Sequence, residues 1–223
     1  MENTAHAVVL ACSSFRDYIR EAQRREGTSL PVFWLDERLH RDPGEMRQAI
    51  LAALERMPKE IDTVLVCMGF CGGSWDGVTC GRRIVMPRAD DCVSILLHTE
   101  TRSGYNLKES GHLYVKGPDP AAASFAGIFA RMTEGVDPAQ TRIYHERWKA
   151  SYCSVDIIDT GVYDCRSAAY TRPVEADAAF LEAETGLVAG SNLLPEALVA
   201  GRWDGRFRVF SPGETITEEA LRG

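Results

Sequence analysis

The chain has 223 residues, a formal net charge of -7 and a hydrophobic fraction of 45%. This length is sufficient for a buried core, and the ordinary composition argues against disorder and fibrous repeats. The acidic balance argues against a nucleic-acid surface, because phosphate contacts require clustered lysine and arginine, so small molecules or proteins are the expected partners.

The first half alternates short β-branched runs with helical patterns, which is typical of consecutive β-α-β units. We therefore predict an α/β fold with a mostly parallel, doubly wound sheet flanked by helices. The predicted strands span residues 7–11, 31–35, 63–67, 83–86 and 113–116, and the predicted helices span residues 15–25, 43–57 and 90–98.

The second half contains fewer strand patterns than helical patterns. Helices are predicted at residues 121–132, 140–152, 174–184 and 193–200, and strands at residues 154–158 and 207–210. These two strands either extend the first sheet or form a smaller second lobe. We predict a single α/β domain over residues 1–223, with lobes 1–118 and 119–223 if the second half separates.

Hydrophobic segments are interrupted by charge well before membrane-spanning length, and the amino terminus lacks a signal-peptide pattern. We therefore predict a cytoplasmic protein without membrane association. The seven cysteines are then expected to be reduced, as metal ligands, nucleophiles or core residues.

Cysteines follow several of the predicted strands at their carboxyl ends, where open parallel sheets bind ligands. Cys12 follows the first strand, Cys71 the third and Cys92 the fourth, while His40 follows the second. Three thiolates and an imidazole suit zinc, and three cysteines also suit an iron-sulfur cluster with one non-cysteine corner. The alternative is that these small thiols are ordinary core residues.

The segment 69–73 places three glycines around Cys71, which makes this cysteine the strongest single candidate. Gly69 and Gly72 would let the backbone approach a ligand closely, although a tight turn is the simpler alternative. Ser13, after the first strand, is a further candidate for substrate binding.

Cys92 lies near a predicted helix start, where the helix dipole favours a thiolate. Arg88 could balance that charge or hold an anionic substrate, and Asp91 could contact the substrate. Alternatively, Asp90 or Asp91 caps the helix, with Arg88 as its surface ion pair.

The run Asp159, Thr160 and Gly161 ends another predicted strand. Asp159 is a candidate general base, with Thr160 and Gly161 as substrate contacts, but the same residues also form ordinary turns.

The chain resembles a family known as domain of unknown function 1638 over most of its length. The resemblance rests on Cys12, Leu39-His40, residues 69–72, Pro87-Arg88, Asp91-Cys92, residues 158–161 and residues 211–213. Asp90 stands where the family's histidine is expected, and His98 stands where a glycine is usual. The resemblance implies no established activity, but it implies an association with corrinoid-dependent methyltransferases and their corrinoid proteins.

These observations leave three functional hypotheses. The first is a metal-binding protein in which Cys12, Cys71, Cys92 and His40 hold zinc or an iron-sulfur cluster for methyl-transfer, one-carbon or redox metabolism. The second is a metal-free enzyme with Cys71 or Cys92 as nucleophile on a small anionic substrate. The third is a non-catalytic accessory module for a corrinoid methyltransferase system, with the corrinoid supplied by a partner. A homodimer is the default expectation for the assembly.

Overall fold

The computed structural model describes residues 4–122 and 124–223, so residues 1–3 and position 123 of the predicted helix 121–132 lie outside the described residues. The α/β prediction is confirmed. The strands are β1 Ala7–Cys12, β2 Val32–Leu35, β3 Thr63–Cys67, β4 Arg83–Pro87, β5 His112–Val115, β6 Ser154–Asp159, β7 Glu184–Ala189 and β8 Phe207–Phe210. The α-helices are α1 Arg16–Glu26, α2 Pro43–Arg56, α3 Cys92–Leu97, α4 Phe125–Met132, α5 Pro138–Ser151, α6 Ala168–Leu181, α7 Leu193–Val199 and α8 Glu218–Arg222.

The larger sheet has five strands in the order β2-β1-β3-β4-β8. Its first four strands are parallel, and β8 pairs antiparallel with β4. Strands β1 and β3 are buried along their whole length, because continuous runs of valine, leucine and alanine suit a strand that is covered on both faces. The chain moves from β1 outward to β2 and then returns to the other side of β1 for β3. The strand order therefore reverses between β1 and β3, which is where doubly wound sheets bind ligands.

The smaller sheet has three parallel strands in the order β5-β6-β7. Its core contains Val155 and Ile157 of β6 together with Val174 and Leu181 of α6. The buried carboxylate of Asp177 on α6 accepts hydrogen bonds from the first backbone amides of α4, at 2.8 and 3.1 Å. This contact holds α4 against α6.

The chain forms two compact units, one made of Met1–Leu107 with Ser191–Gly223 and the other made of Lys108–Gly190. The predicted lobes 1–118 and 119–223 differ from these units. The second unit begins before residue 118, because β5 pairs with β6, and the last residues belong to the first unit, because β8 pairs with β4. Both alternatives for the second half therefore occur: the strand predicted at 154–158 belongs to a separate sheet, and the strand predicted at 207–210 extends the first.

The prediction of a helix at residues 174–184 was wrong at both ends of the helix. Helix α6 begins six residues earlier and contains Pro173, which sequence reasoning treats as a breaker. It ends at Leu181, and Glu182 follows with a left-handed φ of 54°. The next residues form β7, where Gly186 faces the Asp156 carboxylate and leaves no room for a side chain. This close approach depends on tertiary structure and has no sequence pattern.

Candidate metal centre

Cys12, His40 and Cys92 form a group whose ligand atoms all lie within 4.8 Å of one another. The Cys12 Sγ atom lies 3.8 Å from His40 Nδ1, and the Cys92 Sγ atom lies 3.7 Å from His40 Nε2. Both cysteines are buried, whereas His40 is exposed. The group therefore has two sulfur donors in the protein interior and an imidazole at the surface.

The larger sheet brings these three residues together at one edge. Cys12 is the last residue of β1, and Cys92 is the first residue of α3, which follows β4. His40 lies in a 3₁₀ turn, Glu37–Arg41, that follows β2. The Asp36 carboxylate starts this turn by accepting a hydrogen bond from the Arg38 amide at 2.9 Å. Because the strands are parallel and adjacent, their carboxyl ends converge at this edge.

Cys71 places a third sulfur beside the group, with its Sγ atom 4.0 Å from that of Cys92. Its backbone amide donates to the Asp90 carbonyl at 2.7 Å, so the loop after β3 is tied to the segment before α3. Cys71, Gly72 and Gly73 all have positive φ, at 50°, 66° and 88°. Such a conformation is common for glycine but rare for a residue with a side chain.

Gly69 explains how the two cysteine-bearing segments approach so closely. A Cβ atom at this position would lie 2.6 Å from the backbone nitrogen of Asp91 and 2.7 Å from its carbonyl carbon. Backbone atoms cannot move aside as a side chain can. A glycine at position 69 is therefore required by its neighbour in the loop after β4.

Two of the separations fit the edges of a tetrahedron around one ion. Zinc bonds of about 2.3 Å to sulfur and about 2.0–2.1 Å to nitrogen give edges of about 3.8 Å between sulfurs and about 3.6 Å between sulfur and nitrogen. The observed values are 4.0 Å for Cys71 and Cys92 and 3.7 Å for Cys92 and His40 Nε2. His40 Nδ1 lies 3.0 Å from the Glu37 carbonyl, so it can donate there and leave Nε2 for a metal.

The crowding of thiols raises their pKa values in the metal-free protein. Contact with Cys92, together with burial, raises the pKa of Cys12 to about 12. Contact with Cys12 lowers the pKa of Cys92, but contact with Cys71 and burial raise it more, so its net shift is upward. Contacts with Cys12 and Cys92 raise the pKa of His40 to about 11. The group therefore favours proton-bearing forms unless a cation compensates the thiolates.

A family model described as "Protein of unknown function (DUF1638)" matches residues 34–194. The chain belongs to the DUF1638 family. His40, Cys71 and Cys92 lie within the matched residues, and Cys12 precedes them. No curated protein and no solved structure matches this DUF1638 protein. Within residues 4–122 and 124–223, no helix is both long enough and apolar enough to cross a membrane.

The other site residues predicted in the same unit of the DUF1638 protein have structural contacts. The Ser13 hydroxyl accepts a hydrogen bond from the Glu37 amide at 3.1 Å. The Asp91 carboxylate caps α3 by accepting from the Ser94 amide at 2.8 Å, as in the alternative interpretation. The Arg88 guanidinium donates to the carbonyls of Ala220 and Leu221 at 3.0 and 3.1 Å, near the end of α8. Arg88 thus stabilises a helix terminus, and a role in substrate binding stays a prediction.

Asp159, Thr160 and Gly161 lie in the Lys108–Gly190 unit, at the end of β6. The Asp159 carboxylate accepts from the Arg166 guanidinium at 2.7 and 3.1 Å, and this contact lowers the pKa of Asp159. Gly161 has a φ of 70°, as a turn requires. The cysteine group belongs to the other unit, so a joint role of these residues with the cysteines stays a prediction.

Three contacts around the candidate centre were missed by sequence reasoning. The Ser14 hydroxyl lies 3.1 Å from the Cys12 sulfur, and the Glu37 carbonyl contacts His40. Arg47 of α2 donates to the Gly73 carbonyl at 2.8 Å and so holds the glycine loop. Ser14 lies two residues after Cys12, and this spacing could have indicated its contact with the Cys12 sulfur. Nothing in the pattern of α2 indicates the role of Arg47.

The two positions that depart from the family resemblance have ordinary structural roles. His98 is buried, with Nδ1 2.7 Å from the Ser94 carbonyl and Nε2 accepting from the Gly104 amide at 3.3 Å. Burial lowers the pKa of His98, which favours the neutral ring. Asp90 accepts from the Asn106 side chain at 3.1 Å.

Proposed function

We propose that this DUF1638 protein binds one zinc ion through Cys12, His40, Cys92 and Cys71. The observations that support the proposal are the approach of the Cys12, His40 and Cys92 donor atoms to within 4.8 Å of one another and the 4.0 Å separation of the Cys71 and Cys92 sulfurs, at the carboxyl edge of the larger sheet. Sulfur and imidazole donors are those that zinc prefers.

A single ion explains this compact arrangement better than an iron-sulfur cluster does. In a 4Fe–4S cluster, the type that three cysteines and one non-cysteine corner would hold, each cysteine binds a different iron atom, so the cluster itself holds the cysteine sulfurs apart. The Cys71 and Cys92 sulfurs are separated only by about the edge of one coordination tetrahedron. Iron-sulfur chemistry is therefore the less favoured alternative.

The burial and the ionisation of Cys12 and Cys92 argue against a metal-free nucleophile at these two positions. A nucleophilic cysteine requires a lowered pKa and access to substrate. Cys12 and Cys92 are buried and their pKa values are raised. A bound cation would displace the protons of these thiols and compensate the charge of the resulting thiolates.

We further assign the centre to methyl-transfer or one-carbon chemistry on sulfur. Zinc supplies Lewis acidity that keeps a bound thiol ionised near neutral pH. The exposure of the His40 imidazole supports access to the centre for a small molecule or a corrinoid-bearing partner. The methyltransferase association implied by the family resemblance is consistent with this assignment.

The test is metal analysis of protein purified without oxygen and without a metal-binding tag. We expect about one zinc per chain. Cys12→Ser and Cys92→Ser should each lose zinc, whereas Cys165→Ala, a buried cysteine of the other unit, should retain it. Circular dichroism of each variant checks that the fold is kept.

Three results would count against the proposal. A folded, metal-free wild type that also fails to take up added zinc would eliminate the centre. Iron with acid-labile sulfide would replace zinc by a cluster. Equal zinc content in the Cys12→Ser variant and the wild type would remove Cys12 from the ligand set.

A further inference from the structure

We propose that Cys71 is an exchangeable ligand, and that the thiol of a small-molecule substrate takes its place on the metal. This inference rests on the zinc centre proposed above. Cys12, His40 and Cys92 would then hold the ion permanently. Catalytic zinc sites have the same division, with three protein ligands and one position that is open to substrate.

Cys71 differs from the other ligands in its environment. Cys12 has no exposed surface and Cys92 has 5%, whereas Cys71 is only half-buried. Cys71 also lies outside the group of three whose donor atoms are mutually within 4.8 Å. Its sulfur lies 4.0 Å from that of Cys92. Solvent and small molecules therefore reach the centre more easily at Cys71 than at the buried thiols.

The backbone of Cys71 is in a conformation that functional sites often retain. Its φ of 50° lies in the left-handed region, although a glycine follows on its carboxyl side and could carry such a turn. A purely structural loop would be more stable with glycine at this position. The side chain at position 71 is thus present despite a conformational cost.

The loop itself does not need to move for the exchange. Hydrogen bonds from the Phe70 amide to the Ala89 carbonyl and from the Cys71 amide to the Asp90 carbonyl hold its first half. The Arg47 contact holds the Gly73 carbonyl. A rotation about χ1 of Cys71 moves only the sulfur, and this rotation is enough to release it. A cleft of about 290 Å³ runs along the same loop and gives room for a small molecule; it is lined by Phe70, Gly72, Gly73 and the acidic residues Asp76, Asp90 and Glu218.

The exchange balances as a proton transfer between two thiols. The incoming thiol passes its proton to the Cys71 sulfur and binds as a thiolate, while Cys71 leaves as a neutral thiol. The number of thiolates at the centre stays constant, so the exchange adds no charge to this partly buried site. A substrate thiol is therefore the ligand class that the exchange accommodates best.

The experiment uses cobalt(II) in place of zinc, because thiolate-to-cobalt charge-transfer absorption reports the number of bound thiolates. Cys71→Ala should still bind one equivalent of cobalt, with absorption for two thiolates and with a smaller loss of affinity than in Cys12→Ala. Ethanethiol should then raise the absorption to the value for three thiolates. Cys12→Ala should bind cobalt poorly and should not respond to ethanethiol, because its position is buried.

A second measurement uses the zinc-loaded wild type. Limiting iodoacetamide should alkylate Cys71 while zinc stays bound, with Cys12 and Cys92 protected and the exposed Cys153 as a reactive reference. Modification of Cys12 as fast as Cys71, or a Cys71→Ala protein that loses cobalt as Cys12→Ala does, would overturn the exchange. If the wild type binds neither metal, the zinc centre itself is wrong.

Discussion

The sulfur atoms of Cys71 and Cys92 lie 4.0 Å apart, although 21 positions separate the residues in the chain. Two backbone features create this proximity. The Cys71 amide donates to the Asp90 carbonyl, and Gly69 allows the loop after β3 to rest on the backbone of Asp91. The candidate metal centre therefore depends on the packing of two loops as much as on its ligands.

Gly69→Ala should disrupt both the fold and the centre. The new methyl group would overlap the backbone of Asp91, so we expect a loss of about 1–3 kcal/mol in the free energy of unfolding and weaker zinc binding. Urea unfolding and zinc titration measure the two effects. At Gly81 an added Cβ would meet no described atom within 4 Å, so Gly81→Ala is the matched control. Equal stability of the two variants would contradict the close-packing argument.

Zinc binding should strengthen as pH rises. The thiol of Cys12, with a pKa raised to about 12, keeps its proton at neutral pH in the metal-free protein, and the metal must displace it. The pKa of Cys92 is also raised, and that of His40 is raised to about 11, so we expect release of at least three protons at pH 7. Each proton released changes the apparent affinity about tenfold per pH unit. Calorimetry in buffers of different ionisation enthalpy counts these protons, and an affinity independent of pH would be the opposing result.

Asp91→Ala should weaken zinc binding through the helix that carries Cys92. Loss of this N-cap costs about 1 kcal/mol of stability and leaves the first turn of α3 less fixed. We expect the zinc dissociation constant to increase about tenfold or more. Asp137 caps α5 in the other unit, so Asp137→Ala should cost similar stability without changing zinc affinity. A zinc affinity unchanged in Asp91→Ala would show that the cap does not position the ligand.

The His112 and Asp156 pair should make stability depend on pH. His112 Nδ1 lies 2.6 Å from the buried Asp156 carboxylate, and this hydrogen bond raises the pKa of His112. Because the folded pKa exceeds the unfolded value of about 6.5, the stabilisation is complete below pH 6.5 and is lost as pH rises through the folded pKa. His112→Gln and Asp156→Asn should each remove this decrease. Urea unfolding between pH 5.5 and 8.5 measures this decrease in stability. If both variants keep the pH dependence of the wild type, the His112 and Asp156 pair is not its cause.

The sequence by itself determined most of the larger unit. Periodicity placed β1 to β4 and the helices between them, because buried parallel strands leave continuous apolar runs and amphipathic helices leave a 3.6-residue repeat. The rule that ligands gather at strand carboxyl ends then selected Cys12, His40, Cys71 and Cys92. The donor atoms of Cys12, His40 and Cys92 lie within 4.8 Å of one another, and Cys71 lies beside Cys92, because their strands are parallel neighbours in one sheet.

Only the tertiary structure decided the relations between distant segments. Local patterns do not specify the partners of distant segments. Examples are the pairing of β8 with β4, the pairing of β7 with β6 and the contact of Arg88 with α8. The same holds for the space that Gly69 leaves for Asp91 and Gly186 leaves for Asp156. A sequence reports the preferences of single residues and short periods, whereas these features arise from contacts whose two sides are far apart in the chain.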